Sequence, residues 1–97
     1  MKKELNRADL RALEARAAAG LGGHGSYDDI VEDILQRYPK GLKVEEIVDI
    51  FRKDLETDVT TVAVEAARSI VMVSLRHLEE RGCITGGASN GVWVMKQ

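Results

Sequence analysis

The sequence predicts a mainly α-helical domain of the α+β class, with a small β-hairpin near its C-terminal end and an extra helix at its N-terminus. Three segments repeat apolar residues at three- and four-residue intervals, and a glycine-rich segment joins two short β-prone runs near the C-terminus. At 97 residues the chain can build one hydrophobic core but not two. We therefore expect residues 1–25 to form a helical arm with a glycine-rich linker, and residues 26–97 to form the domain.

The N-terminal arm is predicted to be a helix from Arg7 to Ala19. Asn6 can cap its first turn, and Gly20 can end it. Its apolar stripe is narrow and consists mostly of Leu10, Leu13 and alanines. We expect this helix to pack on the domain or on a second copy of the chain.

The linker, residues 20–26, contains the spacing G-x-G-x-x-G that occurs in nucleotide-binding loops. Such a loop must follow a β-strand and start a helix, whereas this one follows an alanine-rich helix. We interpret it as a connector in which Ser26 caps the next helix. Asp29 then has the capping-box position, and the helix dipole stabilises Asp28.

Two amphipathic helices are predicted next, from Tyr27 to Tyr38 and from Val44 to Leu55. Pro39 and Gly41 end the first, and residues 42–43 form a short extended link. The acidic residues of the second helix form a solvated face, or a face that mimics or repels phosphate: Glu45, Glu46 and Asp49.

The third core helix is predicted from Thr60 to Arg81, before the terminator Gly82. Its buried stripe is expected to be Val64, Ala67, Val71, Leu75 and Leu78. The opposite side is also apolar, so the arm, a second subunit or another protein must cover it. The residues predicted for such an interface are Val62, Ala66, Ile70, Val73 and His77.

Two short strands, Cys83 to Thr85 and Val92 to Met95, are predicted to follow. The Asn90-Gly91 pair favours a tight turn between them. We expect Ile84, Val92 and Val94 to face the helices and Trp93 to point away from them.

This order resembles the winged-helix superfamily over residues 27–95, and within it the MarR-like and related small prokaryotic regulators. Residues 75–84 carry the pattern L-x-x-L-E-x-x-G-x-I, similar to the end of a recognition helix and the first wing strand. Residues 41–47, Gly-Leu-Lys-Val-Glu-Glu-Ile, resemble the entry to the helix-turn-helix. The resemblance implies a winged helix-turn-helix that binds double-stranded DNA, as a small transcriptional regulator acting as a dimer.

Carried onto this chain, the resemblance implies groove contacts from the third helix and a wing tip in the hairpin loop, with phosphate contacts from a basic arm. The DNA-binding residues would be Arg68, Ser69, Arg76, Ser89, Asn90, Lys2, Lys3, Arg7 and Arg11. An alternative function is protein–protein interaction without DNA contact, because the third helix is apolar on two sides and the wing lacks lysine and arginine.

The remaining chemistry of the chain is limited. Residues 20–58 carry five basic and ten acidic side chains, so no basic segment stands out. His24, His77 and Cys83 lack the paired spacing of a metal site, and we predict no enzyme activity, metal or cofactor. No apolar run is long enough for a membrane span, and we expect a cytoplasmic protein.

Overall fold

The computed structural model describes residues 2–20, 26–87 and 91–96. They form an α+β domain in which four helices are combined with a small parallel sheet and a small antiparallel sheet. In chain order the elements are β1 (Lys3–Leu5), α1 (Arg7–Gly20), α2 (Ser26–Arg37), β2 (Leu42–Lys43), α3 (Val44–Leu55), β3 (Thr60–Val62), α4 (Val64–Glu80), β4 (Ile84–Gly86) and β5 (Val92–Met95).

The core is mostly aliphatic and lies where α2, α3 and α4 pack against one another. The amphipathic character predicted for α2 and α3 is confirmed, because they supply seven of the seventeen buried hydrophobic residues in the described chain; Tyr38, at the predicted end of the first helix, lies beyond α2 and is exposed. The rings of Tyr27 and Phe51 meet edge to face, with centroids 5.6 Å apart. The buried members from these two helices are Tyr27, Val31, Ile34, Leu35, Ile47, Val48 and Phe51.

The N-terminal helix α1 packs on α2 and α4 of its own chain. The predicted cap is confirmed: the Asp9 amide donates to Asn6 Oδ1 over 3.0 Å, and the Asn6 amide donates to Asp9 Oδ2 over 3.2 Å. Leu10 is completely buried, and its carbonyl accepts a 2.7 Å hydrogen bond from the Tyr27 hydroxyl. The arm therefore contributes to the same core as the domain.

The prediction that the third core helix begins at Thr60 is wrong. Residues Thr60–Val62 form β3, which pairs in parallel with β1, and α4 begins at Val64. Three β-branched residues in succession favour an extended backbone. Two side chains bind the backbone of Val62 at the end of this strand: Glu56 accepts a hydrogen bond from the Val62 amide, and Arg52 donates one to the Val62 carbonyl.

The C-terminal strands form an antiparallel sheet with β2, in the order β2-β5-β4. The prediction that Val92 and Val94 face the helices while Trp93 points away is wrong. Ile84 pairs with Met95, so Met95 and Trp93 share the face that packs against the core. Val92 and Val94 lie on the opposite face, where their methyl groups occupy the space beside the Cα of Gly41.

Candidate nucleic-acid interface

Helix α4 has one side exposed to solvent, and we call it the open face of α4. Its members are Val64, Glu65, Arg68, Met72, Val73, Arg76, Glu79 and Glu80. Val64 was expected in the buried stripe but is 50% exposed; it is the first residue of α4 and lines a surface crevice, whereas Ala67 in the same turn is buried. The rest of the predicted stripe, residues 67, 71, 75 and 78, is buried as expected.

Three of the five predicted interface residues are not available to a partner. Val62, Ala66 and Ile70 are buried within the chain, where β1 pairs with β3 and α1 packs on α4. The apolar second side of α4 is thus covered by the chain's own arm. Of the remaining two, Val73 is 40% exposed on the open face and His77 contacts Asp28.

Arg68, the predicted groove-facing cation, is bound to a carboxylate of the neighbouring helix. Its Nη2 lies 2.7 Å from Glu45 Oε1, in the first turn of α3. The two side chains are 54% and 67% exposed, so water screens the pair. Beside it is a crevice of about 80 Å³, lined by Glu45, Val48, Asp49, Val64 and Arg68.

Arg76 lies two turns farther along the open face and is exposed. No ion pair joins it to another residue in the part of the chain that the structure describes. Its guanidinium is therefore available to an external anion. Arg68 must break its ion pair with Glu45 before it can bind DNA, whereas Arg76 has no such pair to break.

The beginnings of α1 and α4 lie side by side, because each helix follows a strand of the β1–β3 pair after one linking residue, Asn6 or Ala63. Between them is a cleft of about 370 Å³. It brings together two residues predicted to contact DNA, Arg7 and Ser69. The other residues that line it are Asn6, Ala63, Glu65 and Ala66.

The other predicted contacts are divided among separate places. Lys2 precedes β1, Lys3 is in β1, and Arg11 is on α1; all three are exposed. Ser89 and Asn90, the predicted wing tip, lie outside the described residues, as do His24 and most of the linker.

A cluster that sequence reasoning missed joins α2 to the end of α4. The Asp28 carboxylate is nearly buried and accepts a 2.6 Å hydrogen bond from Arg81 Nη2. His77 Nδ1 lies 3.1 Å from the same Asp28 oxygen. Burial and the charge of Asp28 raise the pKa of Glu14, on α1, while Arg11 and His77 oppose this. The four-residue spacing of His77 and Arg81 was the available signal, but it did not indicate Asp28 as the partner.

The same region contains Tyr27, whose phenol is directed at the arm. Burial, followed by the charge of Glu14, raises the pKa of Tyr27 to about 12. The hydroxyl therefore remains a hydrogen-bond donor to Leu10 throughout the neutral range. Its position identifies a structural role in holding α1.

Within the described ranges, no three histidine, cysteine, aspartate or glutamate side chains are grouped so that they could hold a metal ion. The described helices are also too short or too polar to cross a membrane. No family model matches the chain, and comparisons with curated proteins and with solved structures found no match either.

Proposed function

We propose that this chain is a winged-helix domain that binds double-stranded DNA through the open face of α4. The order α2, β2, α3, α4, β4, β5 supports the fold, because three packed helices are followed by a β-hairpin whose second strand also pairs with β2. The eight residues between the end of α3 and the start of α4 make a longer connection than a simple helix-turn-helix needs, and β1 pairs with the strand inside it.

The observation that carries the proposal is the arrangement of cations on α4. Arg68 and Arg76 are eight residues apart on one side of the helix, which is about 12 Å along its axis. The chain's own arm covers the other side, so this face is the one left for a ligand. Arginine can bind phosphate as well as the guanine edge in the major groove. Arg7 and Ser69 lie in one cleft at the start of the helix and extend this surface.

The charge distribution predicts modest affinity. The net charge is −2, and carboxylates of α3 border the open face. Few phosphates can therefore be neutralised by one chain, and a dimer would double the number. We expect binding that is strong only at low salt.

Fluorescence anisotropy with a labelled duplex of mixed sequence, measured between about 25 and 200 mM salt, tests the proposal. Arg76→Ala should weaken binding about five- to tenfold at low salt and make the salt slope shallower by about 0.9. Lys53→Ala removes the same charge from the exposed side of α3 and is the control. Absence of binding at the lowest salt concentration, or equal effects of the two variants, would contradict the proposal.

A second candidate function is docking of a protein without DNA, and the open face itself favours it. Met72 and Val73 are adjacent, and 46% and 40% of their surfaces are exposed. If the face holds a second copy, Val73→Glu should convert a dimer to a monomer in light scattering. Val59→Glu alters another exposed valine and should leave the mass unchanged. A monomeric parent chain would reject the homodimer.

A further inference from the structure

We infer that Glu45 competes with DNA for Arg68, so that the Glu45 carboxylate must release the guanidinium when the open face of α4 binds a duplex. The inference rests on the proposed function and concerns the regulation of the same face. Glu45 would thereby lower the affinity for phosphate alone. It would favour duplexes that give Arg68 a better partner, such as the paired acceptors of guanine.

The geometry shows why Glu45 is the competing residue. Its neighbour Glu46 already accepts a 2.9 Å hydrogen bond from the Lys43 amide and closes the start of α3. Asp49 lines the same crevice one turn later, yet the short contact with Arg68 comes from Glu45. One carboxylate of three is therefore committed to the cation.

The strength of the contact is suited to displacement. A 2.7 Å ion pair between two side chains that are more than half exposed orients the guanidinium but binds it weakly. A phosphate can replace the carboxylate at Arg68. The released Glu45 then remains beside the duplex, where its charge opposes binding.

Neutralising Glu45 and neutralising Asp49, both on α3, should therefore change the affinity for DNA by different amounts. Neutralising Glu45 removes the competitor and also one negative charge near DNA. Neutralising Asp49 removes the same charge from the same crevice but leaves the pair with Arg68 intact. The difference between these variants isolates the competition from the general change in charge.

The experiment compares the parent chain, Glu45→Gln and Asp49→Asn in the anisotropy titration on a mixed-sequence duplex. Glu45→Gln should bind about three- to tenfold more tightly than the parent at low salt, with a salt slope steeper by about 0.9. Asp49→Asn should give less than half of that gain. In a double-mutant cycle, Glu45→Gln should lose most of its advantage when Arg68→Gln is also present.

The outcomes distinguish the competition by Glu45 from the proposed binding of DNA. Binding by the parent with equal gains from Glu45→Gln and Asp49→Asn overturns the competition and leaves the proposed function standing. Binding that appears only in Glu45→Gln supports the competition but contradicts the proposed function, because the parent chain then does not bind the duplex. Absence of binding by all variants overturns both. Circular dichroism confirms that each variant has the helical content of the parent.

Discussion

Arg81 and Asp28 form a 2.6 Å hydrogen bond between the C-terminal end of α4 and the first turn of α2, although 53 positions separate them in the chain. The carboxylate is nearly buried, and His77 approaches it from the same side. A buried carboxylate needs such partners, because an unpaired charge there would be costly. The contact therefore joins the beginning of α2 to the end of α4.

Replacing Asp28 with asparagine should therefore destabilise the fold. The change removes the negative charge that Arg81 and His77 face, and we expect the free energy of unfolding to fall by about 1–3 kcal/mol. Urea unfolding monitored by circular dichroism measures it. Asp58→Asn removes the same charge at an exposed position between α3 and β3, and it should cost less than about 0.5 kcal/mol. Similar losses in the two variants would show that the buried contact does not stabilise the fold.

The raised pKa of Glu14 predicts a pH-dependent effect of Glu14→Gln. In the folded chain this pKa lies above the ordinary 4.5, so the stability that a neutral Glu14 provides is full below that pH. It is lost as the pH rises through the folded pKa. Glutamine stays neutral, so the variant should gain stability relative to the parent as the pH rises from about 4 to about 7. Unfolding curves at several pH values test this, and a gain that shrinks with rising pH would contradict it. Glu79→Gln, exposed on α4, serves as the control.

The arm should contribute measurable stability through Leu10. Its side chain is completely buried, so Leu10→Ala leaves a cavity and should lower the free energy of unfolding by about 2–5 kcal/mol. Leu13→Ala, on the same helix but 41% exposed, should cost less than about 1 kcal/mol. Chemical denaturation compares them. A small effect at Leu10 would indicate that α1 does not remain docked in solution.

The hairpin should depend on Gly86. Its φ of +113° lies in the region that favours glycine, and an added Cβ would overlap the carbonyl oxygen of Val92 on the paired strand. Gly86→Ala should therefore cost about 2–4 kcal/mol. At Gly82 φ is also positive, but no described atom lies within 4 Å of the place that a Cβ would occupy, so Gly82→Ala should cost about 1 kcal/mol. Thermal unfolding of both variants provides the measurement, and equal losses would argue against the steric cause.

The helices of the core could be predicted because their signal is local. Ile47, Val48 and Phe51 recur at helical spacing and are buried as that spacing implies. The capping pair of Asn6 and Asp9 is local in the same sense. Burial of a helix face depends on a few neighbouring positions, which a single sequence contains.

The parallel sheet could not be predicted in the same way. Strand pairing of Lys3 with Thr60 depends on a partner far along the chain, and three residues show too little alternation to reveal it. The same limit applies to the candidate site. Arg68 could be named from its place on the helix, but its contact with Glu45 depends on how α3 and α4 pack.

The pairing of β1 with β3 also has a consequence for synthesis on the ribosome. Within this chain β1 leaves the exit tunnel early, whereas its partner strand follows only after α3 has been made. During that interval the strand has no native neighbour, and Leu10 has no complete α4 to cover it. The arm can therefore dock on the domain only after most of the chain has been synthesised.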